Sequence, residues 1–315
     1  MADADRGAAY LDAQAAKRPV LVKPMDLRAE LEQLWRDGLP PGDRTGWPSV
    51  DKLYTVVPGQ LTVVTGWPSS GKSEWLDAML VHLSRQGWKT ALYSPENQPL
   101  KLHAAKLMEK ISGRPFGHGP TERIAFDAIP EYLDEMRGFT FVNSVSGDAI
   151  PAKGVIDAVM PWLAQHEGCK RGLVIDPWNE LEHWRPSNLS ETEYVSQTLS
   201  VLRAWARANS VHVWIVAHPR NVRRENGEKL QPARLDQISG SQHWWNKADC
   251  GISVHRDQTP DAPMEVEIHV LKCRFKHVGR IGVTALRYDI VTGRYHEIPR
   301  PSDVEEYRRR SQGDE

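Results

Sequence analysis

Residues 66–73 read Gly-Trp-Pro-Ser-Ser-Gly-Lys-Ser, and this octapeptide is the strongest indication of the fold. It matches the pattern G-x-x-x-x-G-K-[S/T] and stands between an apolar run that ends at Thr65 and a helical pattern that begins at Lys72. Its two glycines let backbone N–H groups turn inward, so that the loop and the start of the helix form a nest for phosphates. The motif therefore predicts a P-loop that binds ATP through Gly66, Ser69, Ser70, Gly71, Lys72 and Ser73.

Two acids complete the predicted nucleotide site. We expect Lys72 to reach the terminal phosphates and Ser73 to hold Mg²⁺ through its hydroxyl. The apolar run 172–175 ends in Asp176, which is expected to orient the same Mg²⁺, although an acid at the end of a strand is often only a cap. Glu96 follows the run 90–94 and is the candidate that activates the attacking water, the alternative being a solvated loop acid.

Around the P-loop, short β-branched runs alternate with longer helical patterns, which is typical of a parallel sheet with crossover helices. After Gly251 the apolar residues alternate, which indicates antiparallel strands at one edge, closed by residues 294–298; the alternating positions are 266, 268 and 270, and then 281, 283 and 285. The fold class is therefore α/β: a mainly parallel sheet flanked by helices, with an antiparallel C-terminal extension. We predict strands near 61–65, 90–94, 139–142, 172–176 and 211–217, and helices over 72–85, 100–111, 153–166 and 191–209.

The chain divides into three predicted segments. Residues 1–45 form an N-terminal segment with an amphipathic helix from Met25 to Trp35, a candidate linker helix. Residues 46–298 form the ATPase domain. Residues 299–315 are charged and lack an apolar rhythm, which predicts a flexible tail.

Composition narrows the classes of partner. The 315 residues carry 40 Lys and Arg against 41 Asp and Glu, so affinity for a polyanion must come from a local cluster. Three cysteines without a C-x-x-C pair argue against a disulfide framework and a zinc ribbon. The charged N-terminus and the lack of a long apolar run predict a cytoplasmic protein, in the host cytoplasm if phage-encoded, with no membrane partner.

Several motifs together resemble the RecA-like motor domain of hexameric replicative DNA helicases. The resemblance is to the DnaB-like superfamily, and above all to its Twinkle and phage primase-helicase branch. It extends from about Gly46 to Glu297. Its carriers are residues 66–73, Ser94-Pro-Glu96, Val174-Ile-Asp176-Pro-Trp-Asn179, Ala217-His218-Pro-Arg220, Ile238-Ser-Gly-Ser241, Ala248-Asp249, Leu271-Lys-Cys-Arg-Phe275 and Thr292-Gly-Arg294.

The resemblance implies roles for residues outside the P-loop. Lys272 and Arg274, on alternate positions of a predicted strand, would reach the γ-phosphate held by a neighbouring subunit, with Arg256 near the same interface. Glu96 would activate water, and His218 would sense the γ-phosphate and report it to a DNA-binding loop. The chain departs from the family pattern at residues 239–245, which read Ser-Gly-Ser-Gln-His-Trp-Trp where relatives often carry Arg-Gly-Ser-Gly. It also lacks the upstream primase region, so priming is not expected.

The segment between His218 and Arg234 is polar, basic and punctuated by Gly and Pro. A run of charge is usually a solvated surface, but this one follows directly on the expected phosphate sensor. In a RecA-type ring such a loop lies in the central channel, where its cations contact the phosphates of a single strand. The predicted DNA contacts are Arg220, Arg223, Arg224 and Lys229.

The combined expectation is an ATP-dependent replicative DNA helicase motor. It would form a homo-oligomeric, hexameric ring, translocate on single-stranded DNA in the 5′-to-3′ direction that the family implies, and work beside a separate primase or polymerase. Two alternatives stay open. One is a RadA/KaiC-like recombination or regulatory ATPase that does not unwind DNA, and the other is a non-processive ATP-binding loader or assembly subunit.

Overall fold

The computed structural model describes residues 21–144, 147–183, 185, 187–220, 230–239, 242–257 and 264–299. The chain divides into two compact units between Pro40 and Pro41. In the first unit, a 3-10 turn over Pro24–Leu27 leads into helix α1, Arg28–Asp37. The α-helix thus begins three residues later than the sequence pattern predicts, because Pro24 starts a tighter turn. Of the predicted tail, only residue 299 lies within the described part of the chain.

The second unit contains a nine-stranded sheet in the order β3-β2-β4-β5-β1-β6-β7-β8-β9. The neighbours from β3 to β6 in this order pair in parallel, and those from β6 to β9 pair antiparallel. The strands are β1 Leu61–Thr65, β2 Lys89–Tyr93, β3 Phe139–Phe141, β4 Arg171–Ile175, β5 Val211–Val216, β6 Cys250–Arg256, β7 Glu265–Cys273, β8 Gly282–Asp289 and β9 Arg294–Glu297.

Helices cover both faces of the parallel part, which is why its strands are apolar on both faces. The helices are α2 Pro48–Asp51, α3 Lys72–Arg85, α4 Leu100–Ser112, α5 Ile129–Glu135, α6 Ala152–Gln165, α7 Glu191–Ala208 and α8 Gln242–Lys247. One core joins α3 and α4 to the sheet, and a second core joins α6, α7 and α8 to the opposite face. The expected fold class, a RecA-like α/β core with an antiparallel extension, is confirmed.

Strand β6 was not among the predicted strands. It pairs in parallel with β1 on one side and antiparallel with β7 on the other, so it joins the two parts of the sheet. Its sequence mixes Gly251, Ser253 and His255 with apolar residues, yet nearly the whole strand is buried. Polar side chains inside a central strand hide the apolar pattern on which sequence prediction depends.

Four tryptophans contribute to the packing of the core. Trp75, Trp88, Trp214 and Trp244 are each fully buried. Trp214 donates a hydrogen bond through Nε1 to the Tyr54 hydroxyl at 3.1 Å, so its polar edge is satisfied inside the core. Among the helices of the described residues, none is long and apolar enough to cross a membrane.

Candidate functional site

The predicted nucleotide residues meet at one edge of the sheet, namely the edge formed by the carboxyl ends of its parallel strands. Strands β1, β2, β4 and β5 are parallel neighbours or near neighbours, so their carboxyl ends lie side by side. The P-loop follows β1, Glu96 follows β2, Asp176 follows β4 and His218 follows β5. In an open α/β sheet this edge is where ligands bind.

The P-loop backbone has the conformation that its glycines permit. Gly66 has φ 151° and Gly71 has φ 91°, both in the region that L side chains rarely adopt. A Cβ at Gly66 would lie 2.3 Å from the Val254 carbonyl oxygen, and one at Gly71 would lie 2.8 Å from the Tyr295 hydroxyl. A side chain at either position would therefore clash as well as strain the backbone. Ser69 also has a positive φ, of 61°.

Lys72 lies inside this loop and is only 5% exposed. Its ammonium donates a hydrogen bond to the Trp67 carbonyl oxygen at 3.0 Å, across the loop itself. Burial lowers the pKa of Lys72 to about 8, although the carboxylates of Asp176 and Glu96 act in the opposite direction. An anion bound in the loop would offset the cost of burying this ammonium, because it would place a negative charge beside the positive one.

Asp176 is 4% exposed and faces the start of helix α3. Burial raises its pKa to about 6; a hydrogen bond from Ser73 lowers that pKa, and the charges of Asp77 and Glu96 raise it. Among the described residues, Oδ1 of Asp176 has no hydrogen-bond partner, and neither does the buried Oγ of Ser70. Buried oxygens left without partners are costly unless a ligand completes them. The carboxylate and hydroxyl of Asp176 and Ser73 are ligands that Mg²⁺ accepts, so the site fits a Mg²⁺-nucleotide.

Glu96 and His218 are brought together although they lie far apart in the sequence. His218 Nε2 is 3.5 Å from Glu96 Oε1. Burial and then the charge of Lys72 lower the pKa of His218, while Glu96 acts to raise it. The His218 backbone N–H donates to Asn179 Oδ1 at 3.3 Å, so the loop after β4 supports the end of β5. The expected water-activating acid and phosphate sensor thus form a contacting pair.

A buried pair that was not predicted lies beside this site. His103 Nε2, on α4, lies 3.0 Å from Asp77 Oδ2, on α3, and both side chains are almost fully buried. Burial alone would lower the pKa of His103, but the Asp77 carboxylate outweighs it and the pKa is raised. No motif spacing marks a pair of this kind, because it forms only when α3 and α4 pack on the same face of the sheet.

Arg256 lies at the P-loop of its own chain. Its guanidinium donates a hydrogen bond to the Ser69 carbonyl oxygen at 3.1 Å. Strand β6 runs parallel to β1, so its last residue reaches the same edge of the sheet as the P-loop. Arg256 is therefore beside the predicted phosphate nest.

Lys272 and Arg274 lie at the opposite edge of the sheet, which is formed by the amino ends of the parallel strands. Strand β7 is antiparallel to β6 and ends at Cys273, so Lys272 is its last residue but one and Arg274 lies just beyond it. Arg274 is level with Asp249, whose backbone N–H donates to the first residue of β1, Leu61. The P-loop follows the fifth residue of β1, which places it roughly 13 Å further along the strand direction. The prediction that both cations lie within one strand is thus correct only for Lys272.

Both cations are engaged within their own chain. Arg274 Nε is 2.9 Å from Asp249 Oδ1, and the Lys272 ammonium donates to the Trp245 carbonyl oxygen. Asp249 is fully buried and also binds Arg203 at 2.8 Å and Arg207 at 3.3 Å, both on α7. A single carboxylate therefore fastens α7 and the end of β7 to the sheet. Beyond the Ala248-Asp249 motif, no pattern in the sequence marks this cluster.

The predicted DNA contacts are only partly within the described residues. Arg220 Nε donates to the Ser239 hydroxyl at 3.2 Å, and its backbone N–H donates to the Gln237 carbonyl oxygen at 2.8 Å. Pro219 forms an isolated antiparallel β-bridge with Ile238. The chain just before the basic segment is therefore paired with the chain just after it, next to His218. Arg223, Arg224 and Lys229 lie outside the described residues.

Comparison with known proteins decides the family. A chloroplastic and mitochondrial Twinkle homolog of Arabidopsis thaliana is 43% identical over 269 residues, which are 82% of this chain. The chain is a relative of Twinkle. It spans 37% of the length of that plant protein. No protein-family model matches the sequence. The resemblance drawn from the motifs is confirmed.

Solved structures show the same fold as this Twinkle-like chain. The ATPase domain of G40P superposes with a TM-score of 0.71 and 16% identity, covering 89% of this chain and 100% of that one. A DnaB-like replicative helicase, solved in a study of its interactions with primase, gives a TM-score of 0.70 and 16% identity, covering 88% of this chain and 68% of that one. The RadB recombinase gives 0.54 and 17% identity, over 81% of this chain and 99% of that one. At these identities the likeness concerns the fold alone.

Proposed function

We propose that this Twinkle-like domain is the ATP-driven motor of a replicative DNA helicase. The carrying observation is the separation of its charged groups. The carboxyl ends of the parallel strands bring together Lys72, Asp176, Glu96 and His218. Arg274 lies at the amino ends of these strands, roughly 13 Å along the strand direction from the P-loop. One chain holds the phosphates and the water-activating acid, and a second chain is needed to bring the arginine.

The chain's own residues divide the work of hydrolysis. Lys72 and the P-loop N–H groups bind the phosphates, while Ser73 and Asp176 hold Mg²⁺, which when bound neutralises charge on the phosphate oxygens. Glu96 Oε1 accepts the proton of the attacking water. His218, 3.5 Å away, keeps that carboxylate in place and responds when it moves.

Lys272 and Arg274 complete the site of a neighbouring copy in this proposal. To do so, Arg274 must exchange Asp249 for the phosphates of the neighbour. An arginine supplied in trans is commonly worth ~10³–10⁵ in rate, so an isolated chain should turn over ATP slowly. The homo-oligomer we propose is a ring, hexameric by resemblance to the family.

Single-stranded DNA is the proposed polymer track. Arg220 follows His218 by two residues and starts the basic segment that holds Arg223, Arg224 and Lys229. Movement at the phosphate sensor therefore has a short covalent path to the phosphate-binding cations. We propose 5′-to-3′ translocation, and a primase or polymerase on a separate chain, from the resemblance alone.

The test measures ATP turnover with and without single-stranded oligonucleotide, and then strand displacement on a forked duplex. A motor shows DNA-stimulated turnover and ATP-dependent displacement, and Lys72→Ala abolishes both. A recombination or regulatory ATPase would bind DNA and hydrolyse ATP without displacement. A loader would show no DNA stimulation of turnover.

A further inference from the structure

Two of the three cysteines face each other across a strand pair. Cys250 begins β6, and Cys273 ends β7 directly opposite it. At the adjacent position the backbone N–H of Arg274 donates to the Asp249 carbonyl oxygen at 2.9 Å. Hydrogen-bonded and non-hydrogen-bonded pairs alternate along an antiparallel ladder, so Cys250 and Cys273 form a non-hydrogen-bonded pair. In such pairs the Cα atoms are ~4.5 Å apart, which lies within the ~4.4–6.8 Å range of disulfides.

The two thiols differ in exposure and in acidity. Cys250 is fully buried, whereas Cys273 is half-buried. The neighbouring Cys250 thiol lowers the pKa of Cys273 to about 7, although burial of Cys273 acts against this. The Cys273 thiol, together with burial, raises the pKa of Cys250, whose own thiol donates to Gln60 Oε1 at 3.9 Å. Cys273 is thus the thiolate that reagents can reach, and Cys250 is a protonated thiol behind it. This is the arrangement of a redox-sensitive cysteine next to a resolving cysteine.

We propose that Cys250 and Cys273 are a modification site, in which a hydroperoxide converts the two thiols into a reversible intrachain disulfide. The Cys273 sulfur attacks one peroxide oxygen, the O–O bond breaks, and the departing oxygen takes up a proton and leaves as water when the oxidant is hydrogen peroxide, or as an alcohol when it is an alkyl hydroperoxide. The Cys250 sulfur then attacks the sulfenic sulfur of Cys273. The S–O bond breaks, and the departing hydroxide takes the Cys250 proton and leaves as water. Two sulfurs lose one electron each, and the peroxide gains both.

The disulfide would act on the cations at the end of β7. Cys273 stands between Lys272 and Arg274, whose side chains must leave Trp245 and Asp249 to reach a neighbouring chain. A covalent bond from Cys273 to β6 would hold this segment against its own sheet. This consequence rests on the proposed function. It predicts that oxidation lowers DNA-stimulated ATP turnover at least tenfold, leaves nucleotide binding intact, and is reversed by dithiothreitol.

The site itself is tested without reference to turnover. The full chain is treated with hydrogen peroxide at pH 7, and free thiols are counted after denaturation. We expect the count to fall from three to one, and a trypsin digest to contain residues 248–256 joined to the Cys273 peptide and two hydrogens lighter than their sum. A thiol with a pKa of about 7 is half ionised at pH 7, against ~3% for an ordinary thiol near 8.5. After allowing for the weaker nucleophile, Cys273 should react roughly 3- to 4-fold faster than glutathione.

Single substitutions separate the possible outcomes. Cys169→Ser is the matched control and should form the same linked peptide, because Cys169 is the third cysteine and takes no part. Cys250→Ala should leave Cys273 as a sulfenic acid that dimedone traps. Cys273→Ser should leave Cys250 unreactive, and ATP turnover in this variant should not respond to peroxide. Circular dichroism confirms that each variant is folded.

Two results would overturn the inference: Cys273 reacting no faster than glutathione, or a linked peptide that contains Cys169 or is missing altogether. Either would leave the proposed function untouched. If instead the disulfide forms but turnover is unchanged, the site stands as a modification site, and its proposed effect on Arg274 is wrong.

Discussion

Protonation of His212 should make the stability of this domain fall between pH 7 and pH 5. His212 lies on β5 and is fully buried. Its Nδ1–H donates to the Val57 carbonyl oxygen at 2.7 Å, so Nε2 is left to accept the Thr62 hydroxyl at 2.9 Å. Both nitrogens are satisfied in the neutral ring, whereas a proton added to Nε2 would face the uncharged hydroxyls of Thr62 and, at 3.3 Å, Tyr54. Burial lowers the pKa of His212 to about 4, against an unfolded value of ~6.5.

The direction in which His212 makes stability change with pH follows from the linkage between proton binding and folding. A folded pKa below the unfolded one means that the unfolded chain binds more protons, so stability falls as pH falls. The contribution of His212 is complete above ~6.5 and is lost as pH drops through about 4. Between pH 7 and pH 5 the loss amounts to about 2 kcal/mol, and its limit at low pH is about 3 kcal/mol.

Urea unfolding at pH 7 and pH 5 measures this loss in three proteins. Wild type carries the full His212 contribution, and His212→Asn removes it while an amide can still donate toward Val57. Val213→Ala is the matched control, because it opens a cavity on the opposite face of the same strand without changing a titrating group. The pH-dependent loss should be about 2 kcal/mol smaller in His212→Asn than in the other two. Equal losses in all three proteins would refute the assignment of a neutral, buried imidazole.

Three further predictions follow from the site. Glu96→Gln keeps the size of the side chain but cannot accept a proton, so nucleotide affinity should hold while turnover falls by about 10²–10⁴; turnover near wild type would exclude Glu96 as the base. Asp249→Ala leaves the arginines of α7 and β7 without their shared carboxylate, and urea unfolding should show a loss of about 2–4 kcal/mol, less than for a fully buried pair because Arg207 is half exposed; a loss under about 1 kcal/mol would contradict the fastening role. Arg223→Ala should reduce the slope of log affinity for single-stranded DNA against log salt by about 0.7, and an unchanged slope would place Arg223 away from the DNA.

The candidate nucleotide site was predictable because the sequence patterns that mark it are local. The P-loop motif specifies the backbone conformation, and helix α3 begins at Lys72 and ends at Arg85 as its apolar spacing predicts. Asp176 and Glu96 each follow an apolar run that forms a strand within one residue of the predicted bounds. Once the sheet is parallel, these ends must meet at one edge.

Contacts between distant segments were not predictable in the same way. Asp249 and Arg274 meet only because β7 returns antiparallel along β6, and β6 was hidden by its buried Ser253 and His255. The Asp77–His103 pair depends on how two helices pack on the sheet. Neither feature has a spacing in the sequence, because the energy that selects it comes from burial in three dimensions.

The claim that two chains build each ATP site is tested most directly by mixing two inactive variants. Lys72→Ala lacks the cation proposed to bind the phosphates and Arg274→Ala lacks the arginine proposed to act in trans, so each alone should turn over ATP at least about 10²-fold more slowly than wild type. When the two are co-expressed in equal amounts, roughly a quarter of the subunit interfaces join an intact P-loop to an intact arginine. DNA-stimulated turnover should then recover to about that fraction of wild type. Turnover no higher than the average of the two separate variants, or full activity of Arg274→Ala alone, would show that the ATP site is not shared between two chains.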